Sequence, residues 1–190
     1  NQREKITIEA SCVEGAREVL LYDNSVTDVQ VLLDGLTPGC GRLSLNGSPI
    51  EALVAAVSSP YLRVLHILCH GAPGRVLVDG VAYSNELFEV AAANASASSE
   101  FFQGRAVDGE RQIQINFWSC NVGHGEQGMR FLNKVSSAMN AQVNASEGKV
   151  GSEDLGGSWE LASQAVVPFS ETALDEFEAV LIAASDIKNG

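Results

Sequence analysis

Two short stretches concentrate the residue types that do covalent or metal chemistry. "HILCHGAPG", residues 66–74, carries His66, Cys69 and His70 ahead of Gly71 and Gly74. "NFWSCNVGHGEQG", residues 116–128, carries Ser119, Cys120 and His124 among glycines. Three chemistries compete for them: a His/Cys pair for nucleophilic catalysis, a ligand set for a metal, or ordinary core residues. A cysteine nucleophile needs an imidazole brought to its sulfur from elsewhere in the chain. His70 and Cys120 each close an apolar run, and open parallel sheets bind ligands beyond the carboxyl ends of such strands. The glycines beside them let backbone approach a ligand closely.

Strand geometry weakens the metal reading. Alternation puts His66 and His70 on one face and Cys69 on the other. Four strand residues also separate the two histidines by about 13 Å, whereas zinc holds each ligand at about 2 Å. "HILCH" lacks the first cysteine of a c-type haem site. No metal or other cofactor is therefore expected. His66, in mid-strand, reads as a core or sheet-surface histidine, Cys69 as a small buried hydrophobe, and His124 as a loop residue that either faces solvent or lines a substrate cleft.

The elements that must position these residues alternate along the chain. Buried strands are predicted at 18–25, in "GRLSLNGSP", in "LRVLHILCHG" and in "RQIQINFWSC". Helices are predicted at 26–36, at 50–60, in "SNELFEVAAANASA" with Ser84 as N-cap, and in "GEQGMRFLNKVSSAMN". In the last of these Met129, Leu132, Val135 and Met139 form the expected inner face. Asp79-Gly80 between two β-branched runs signals a hairpin over 75–83, and "SSEFFQGRAVDGER" reads as a polar connection. "AQVNASEG" and "GSWELAS" read as further strands, and "SETALDEFEAVLIAAS" as a closing helix capped by Ser170. Strands this uniformly apolar have no wet face. The fold class is therefore α/β, a three-layer α/β/α sandwich around a mostly parallel sheet with a small β-hairpin insertion.

Composition narrows the partners. The 190 residues suit one domain, with 45% hydrophobic and 19% charged residues as in a globular chain. A net charge of -12 with only four lysines argues against nucleic acid and against attraction to an anionic membrane. No apolar run reaches the roughly 20 residues of a membrane span. Four cysteines without CxxC spacing leave two readings open, a Cys12–Cys40 disulfide or small unpaired thiols. The ends "NQREK" and "SDIKNG" read as cuts through a longer polypeptide, whose export signal would lie outside this sequence.

An apolar strand ending His-Gly, followed by another ending Ser-Cys, resembles the caspase–legumain–gingipain–separase group of cysteine peptidases. "LLYDNSVTDVQVLLDGL", "HILCHGAPGRVLVDG", "FWSCNVGHGEQGMRFLNKVSSAMNAQVNAS" and "VGSEDLGGSWEL" extend the likeness over about residues 18–162. They resemble a bacterial domain of unknown function found in very large surface and adhesin-like proteins and grouped with the caspase-like peptidases. The chain departs from that pattern at Cys69, where a serine usually precedes the histidine, and at Ser158, where Gly-Gly-x-Trp often has aspartate. The resemblance implies a single caspase-like domain with its core at about 18–183. It implies Cys120 as nucleophile, His70 as general acid/base, and the backbone N–H groups of Gly71 and Cys120 as oxyanion donors. Asp23, Ser119, Glu147 and Asp154 are the expected substrate-binding residues, with a basic or small residue on the acyl side of the cut. The expected substrate is a peptide or protein, including the parent chain itself, at a bacterial cell surface. The contrasting expectation is a silent caspase-like scaffold used for adhesion or assembly.

Overall fold

A computed structural model describes residues 13–107, 112–161 and 164–182. In chain order the elements are β1 (Glu18–Tyr22), α1 (Val29–Asp34), β2 (Cys40–Ser44), α2 (Pro49–Val57), β3 (Val64–Leu68), β4 (His70–Ala72), β5 (Arg75–Val78) and β6 (Val81–Tyr83). They continue with α3 (Glu86–Ser98), α4 (Glu100–Val107), β7 (Ile113–Trp118), α5 (Gly125–Met139), β8 (Ala141–Ala145), a 3-10 turn (Glu153–Leu155) and α6 (Glu171–Glu176).

Five strands form one sheet in the order β2-β1-β3-β7-β8, every neighbouring pair parallel. Helices cover both faces, giving the expected three-layer α/β/α sandwich. Strand alternation divides the core. Val19, Leu21, Leu65, Ile67, Ile115 and Phe117 face one side, packed with residues of α2, α3 and α5. Leu20, Tyr22, Leu68 and Trp118 face the other, packed with residues of α1, α6 and the segment leading to Leu181. On the first side Phe88, Phe117 and Phe131 meet edge to face at 5.4–5.8 Å, a favoured aromatic geometry.

The expected hairpin is present and larger than expected. Asp79 (φ 50°) and Gly80 (φ 76°) turn between β5 and β6 with both φ values positive, which favours Asp-Gly at a two-residue hairpin loop. β5 also pairs with β4, so His70 lies on a three-stranded antiparallel sheet.

Five expectations change. Residues 100–107, read as a connection, are helical: the Ser99 hydroxyl accepts the Phe102 N–H at 3.3 Å, and Phe102 is buried. Residues 108–111 of that stretch lie outside the described residues. The N-cap of α3 is Asn85, and Ser84 instead accepts the Glu86 N–H at 3.4 Å. On α5 the inner face is Gly128, Phe131, Val135 and Met139, while Met129 is 55% exposed. Phe131 is held by the aromatic triad. A Cβ at Gly128 would lie 2.2 Å from the Gly123 carbonyl carbon, so only glycine lets the helix start this close. "GSWELAS" forms no strand in its described part, only a parallel bridge from Ser158 to Val150.

The fifth change bears on function. Ser170 caps α6 as expected, accepting the Ala173 N–H at 3.2 Å. The helix then ends at Glu176, and the chain continues extended, with Val180 bridging Gly151 and Ile182 bridging Gly71. Residues 183–185 of the expected helix lie outside the described residues.

Candidate active site

β3 and β7 are neighbours in register, Leu68 opposite Trp118. His70 and Cys120 each lie two residues beyond that pair, so the parallel sheet launches both from the same edge and the same level. After Cys120 the chain turns at once: Asn121 is left-handed (φ 61°), its N–H bonded to the Gly148 carbonyl at 2.8 Å. Asparagine tolerates that conformation better than most residues. A Cβ on Gly71 would fall 2.5 Å from the Cys120 carbonyl oxygen and 2.9 Å from the Ser119 Cβ. Gly71 is thus required by direct packing of the histidine strand onto the cysteine turn.

The two expected oxyanion donors point at one atom. The Gly71 and Cys120 N–H groups each donate to the Leu181 carbonyl oxygen at 3.0 Å. The Leu181 N–H donates in turn to the Val150 carbonyl at 2.9 Å, and the Ser152 N–H to the Ala179 carbonyl at 2.8 Å. The Cys120 sulfur accepts the Val150 N–H at 3.1 Å and lies 3.4 Å from the Val150 carbonyl oxygen. Cys120 is fully buried beneath this arrangement. Burial pushes its thiol up from the ordinary value, while the backbone of Val150 and Leu181 and the charge of Lys149 pull it down. His70 is half-buried, and its Nδ1 is a buried atom without a hydrogen-bond partner among the described residues.

Cys69 faces the opposite core, 3.4 Å from the Ser119 hydroxyl, and burial pushes its thiol up to about 12. Such a thiol is not a nucleophile at neutral pH. Cys40, Cys69 and Cys120 are free thiols, and Cys12 lies outside the described residues.

His66 is fully buried. Its Nδ1 accepts the Trp118 indole N–H at 2.9 Å, and its Nε2 lies 3.4 Å from a Glu18 carboxylate oxygen. The imidazole beside it holds the Glu18 carboxyl below its usual range. His124 is exposed at the start of α5.

The expected substrate-binding residues sit in four different surroundings. Asp23 is fully buried, and its carboxylate accepts from the Ser25 N–H (2.9 Å) and hydroxyl (2.7 Å), the Asn46 amide (3.0 Å) and the Asp79 N–H (2.9 Å). It ties the end of β1 to the hairpin. Ser119 is fully buried, with its hydroxyl at Cys69. Glu147 is exposed in the turn after β8. Asp154 lines a groove of about 450 Å³ with Glu153, Glu160, Glu171 and Asp175, beside Trp159. Missing from the sequence reading were Val150 and Leu181, which complete the surroundings of Cys120. The signal available for them was the apolar run "AVLIA", which fits a short strand as well as a helix.

Among the described residues no cluster of three or more His, Cys, Asp or Glu side chains is arranged to hold a metal. Nor is any helix among them long and apolar enough to cross a membrane. Neither the curated proteins nor the solved structures contain a match to this chain. Residues 19–181 match the family described as Domain of unknown function (DUF4347), and the chain belongs to that family.

Proposed function

We propose that this domain is a caspase-like cysteine endopeptidase with a His70–Cys120 dyad. The observation that carries the reading is the convergence of the Gly71 and Cys120 N–H groups on one carbonyl oxygen at 3.0 Å. Acyl transfer needs such a pair of fixed donors, because negative charge develops on that oxygen in the tetrahedral intermediate. The donor at Cys120 belongs to the nucleophile itself, and the donor at Gly71 to the neighbour of the imidazole. One sheet edge therefore supplies thiol, base and oxyanion hole. Cys120 attacks the carbonyl carbon, and His70 takes the thiol proton and passes it to the leaving amine. The substrate is a peptide or protein, and the setting we propose is the surface of a bacterium, within a larger protein.

One observation favours the contrasting reading of a silent scaffold: the Cys120 side chain is fully buried, its thiol pushed up by that burial. Incubation of the protein alone and with unfolded casein, followed by peptide mass spectrometry, separates the two. The peptidase reading expects cleavage that disappears in both Cys120→Ala and His70→Ala. Cleavage that persists in both variants, or none in any sample, leaves the scaffold.

A further inference from the structure

We infer that the bond this site cuts first is its own Leu181–Ile182 peptide, with residues 179–181 seated in the cleft as a substrate strand. The inference rests on the peptidase reading above and names its substrate. Leu181 is not merely near the cysteine. Its carbonyl oxygen takes both oxyanion donors, and its N–H shares the Val150 carbonyl with the Cys120 sulfur. Those bonds place the Leu181 carbonyl within the immediate surroundings of Sγ.

The segment is held as an added strand is held, by its backbone. Ala179 and Leu181 bond to Ser152 and Val150, Val180 bridges Gly151 in antiparallel sense, and Ile182 bridges Gly71 in parallel sense. Such backbone pairing fixes register without regard to sequence, leaving selectivity to the side-chain pockets. The Leu181 side chain is fully buried in the apolar cluster that includes Trp118, Val150 and Phe177. A pocket of that lining selects an apolar residue on the acyl side of the cut. A purely architectural closing strand would account for the pairing and for the buried leucine. It accounts for the Gly71 bond, which belongs to the bridge, but gives no reason for the Cys120 N–H to meet the same carbonyl oxygen.

The step balances with water as the only co-reactant. The Cys120 thiolate, its proton on His70, adds to the Leu181 carbonyl carbon. The C–N bond to Ile182 breaks, and the leaving nitrogen takes the proton from His70. A water molecule then adds to the thioester, giving up a proton to His70. The C–S bond breaks and the sulfur recovers that proton, leaving a carboxylic acid at Leu181 that ionises as the amine freed at Ile182 takes up its proton. Everything C-terminal to Leu181 is thereby released. The new carboxylate end stays paired with Val150 and Ser152, so a second substrate enters only after it has left.

The test uses the full chain, its Cys120→Ala form and its Ile182→Pro form, each incubated alone and with casein. Intact mass and N-terminal sequencing read the products. The expected result is a fragment ending at Leu181 and a peptide beginning at Ile182, absent from Cys120→Ala. Ile182→Pro should lose that self-cut while its circular dichroism and melting temperature stay those of the parent, since neither bridge uses the residue 182 N–H. Cys120-dependent cleavage at another bond, or of casein alone with the chain intact, overturns this inference and leaves the peptidase standing. No Cys120-dependent cleavage of either overturns both.

Discussion

The two faces of the five-stranded sheet draw on similar apolar residues and use them differently. On one face, α2, α3 and α5 cover the strands, and Phe88, Phe117 and Phe131 lock together edge to face. On the other, the cover is assembled from the short helices α1 and α6, the stretch around Trp159 and the extended run to Ile182. Trp118, Trp159, Phe169 and Phe177 also cluster there, at 5.6–6.2 Å, but around Cys120 and the strand that lies over it. Long helices bury area continuously and resist local opening. Short helices and extended segments open locally at lower free energy. A site that must admit and release a peptide belongs on the second face.

The largest expected effect tests whether the helical face is scaffold alone. Phe88 is buried against two aromatic rings, and Phe88→Ala should lower stability by about 3–5 kcal/mol, read as a shift in the urea midpoint. Wherever that variant is still folded, its cut should fall at the same bond as in the parent. A changed cleavage position would end the distinction between the faces.

Gly71→Ala comes next. The added Cβ would meet the Cys120 carbonyl oxygen at 2.5 Å and the Val122 Cγ2 at 2.7 Å. Overpacking of this kind costs about 1–3 kcal/mol, and here it also displaces the Gly71 N–H, the proposed oxyanion donor. Less stability than Phe88→Ala should be lost, together with nearly all cleavage. Parental cleavage in a folded Gly71→Ala protein would show that the donor geometry is not needed.

The effect that is smallest at neutral pH shows itself only in alkaline solution. Free thiols in the unfolded chain lose their proton near pH 8.5, whereas burial holds Cys69 to about 12. Between those values the unfolded state binds fewer protons than the native state, so stability falls as pH rises. The decline from this group is at most on the order of 1 kcal/mol per pH unit. Below pH 8 it vanishes. Melting temperatures between pH 8 and 11 should therefore fall less steeply in Cys69→Ala, and an unchanged slope would refute the assignment.

The strands β1, β3 and β7 are legible in the sequence because both of their faces are covered, so their apolar runs have no other use. The hairpin is legible because Asp79-Gly80 fits few conformations besides the one observed. His70 and Cys120 stand out for the same reason: polar groups that end buried strands have few purely structural roles. Residues 177–182 are not legible, since "FEAVLI" satisfies both a helical and an extended period. Its extended state depends on Gly71, Val150 and Gly151, which lie some 30 to 110 residues away. Met129 misleads for a local reason. The helix is rotated so that Gly128 clears Gly123 and Phe131 reaches the triad, and methionine is left in solvent.

Asp23 carries a further consequence, about what sequence change this edge of the sheet tolerates. Its four donors come from Ser25, Asn46 and Asp79, and they converge on two oxygens with no solvent to compensate. Asparagine has the same shape but would turn an N–H₂ group toward donors; serine and alanine would leave those donors stranded. Glutamate fits the chemistry and exceeds the space. The constraint on position 23 is one of polarity sign, which no repacking of neighbours relieves. The hairpin that begins at His70 is thus fastened by a fully buried carboxylate that no other side chain matches in both charge and size.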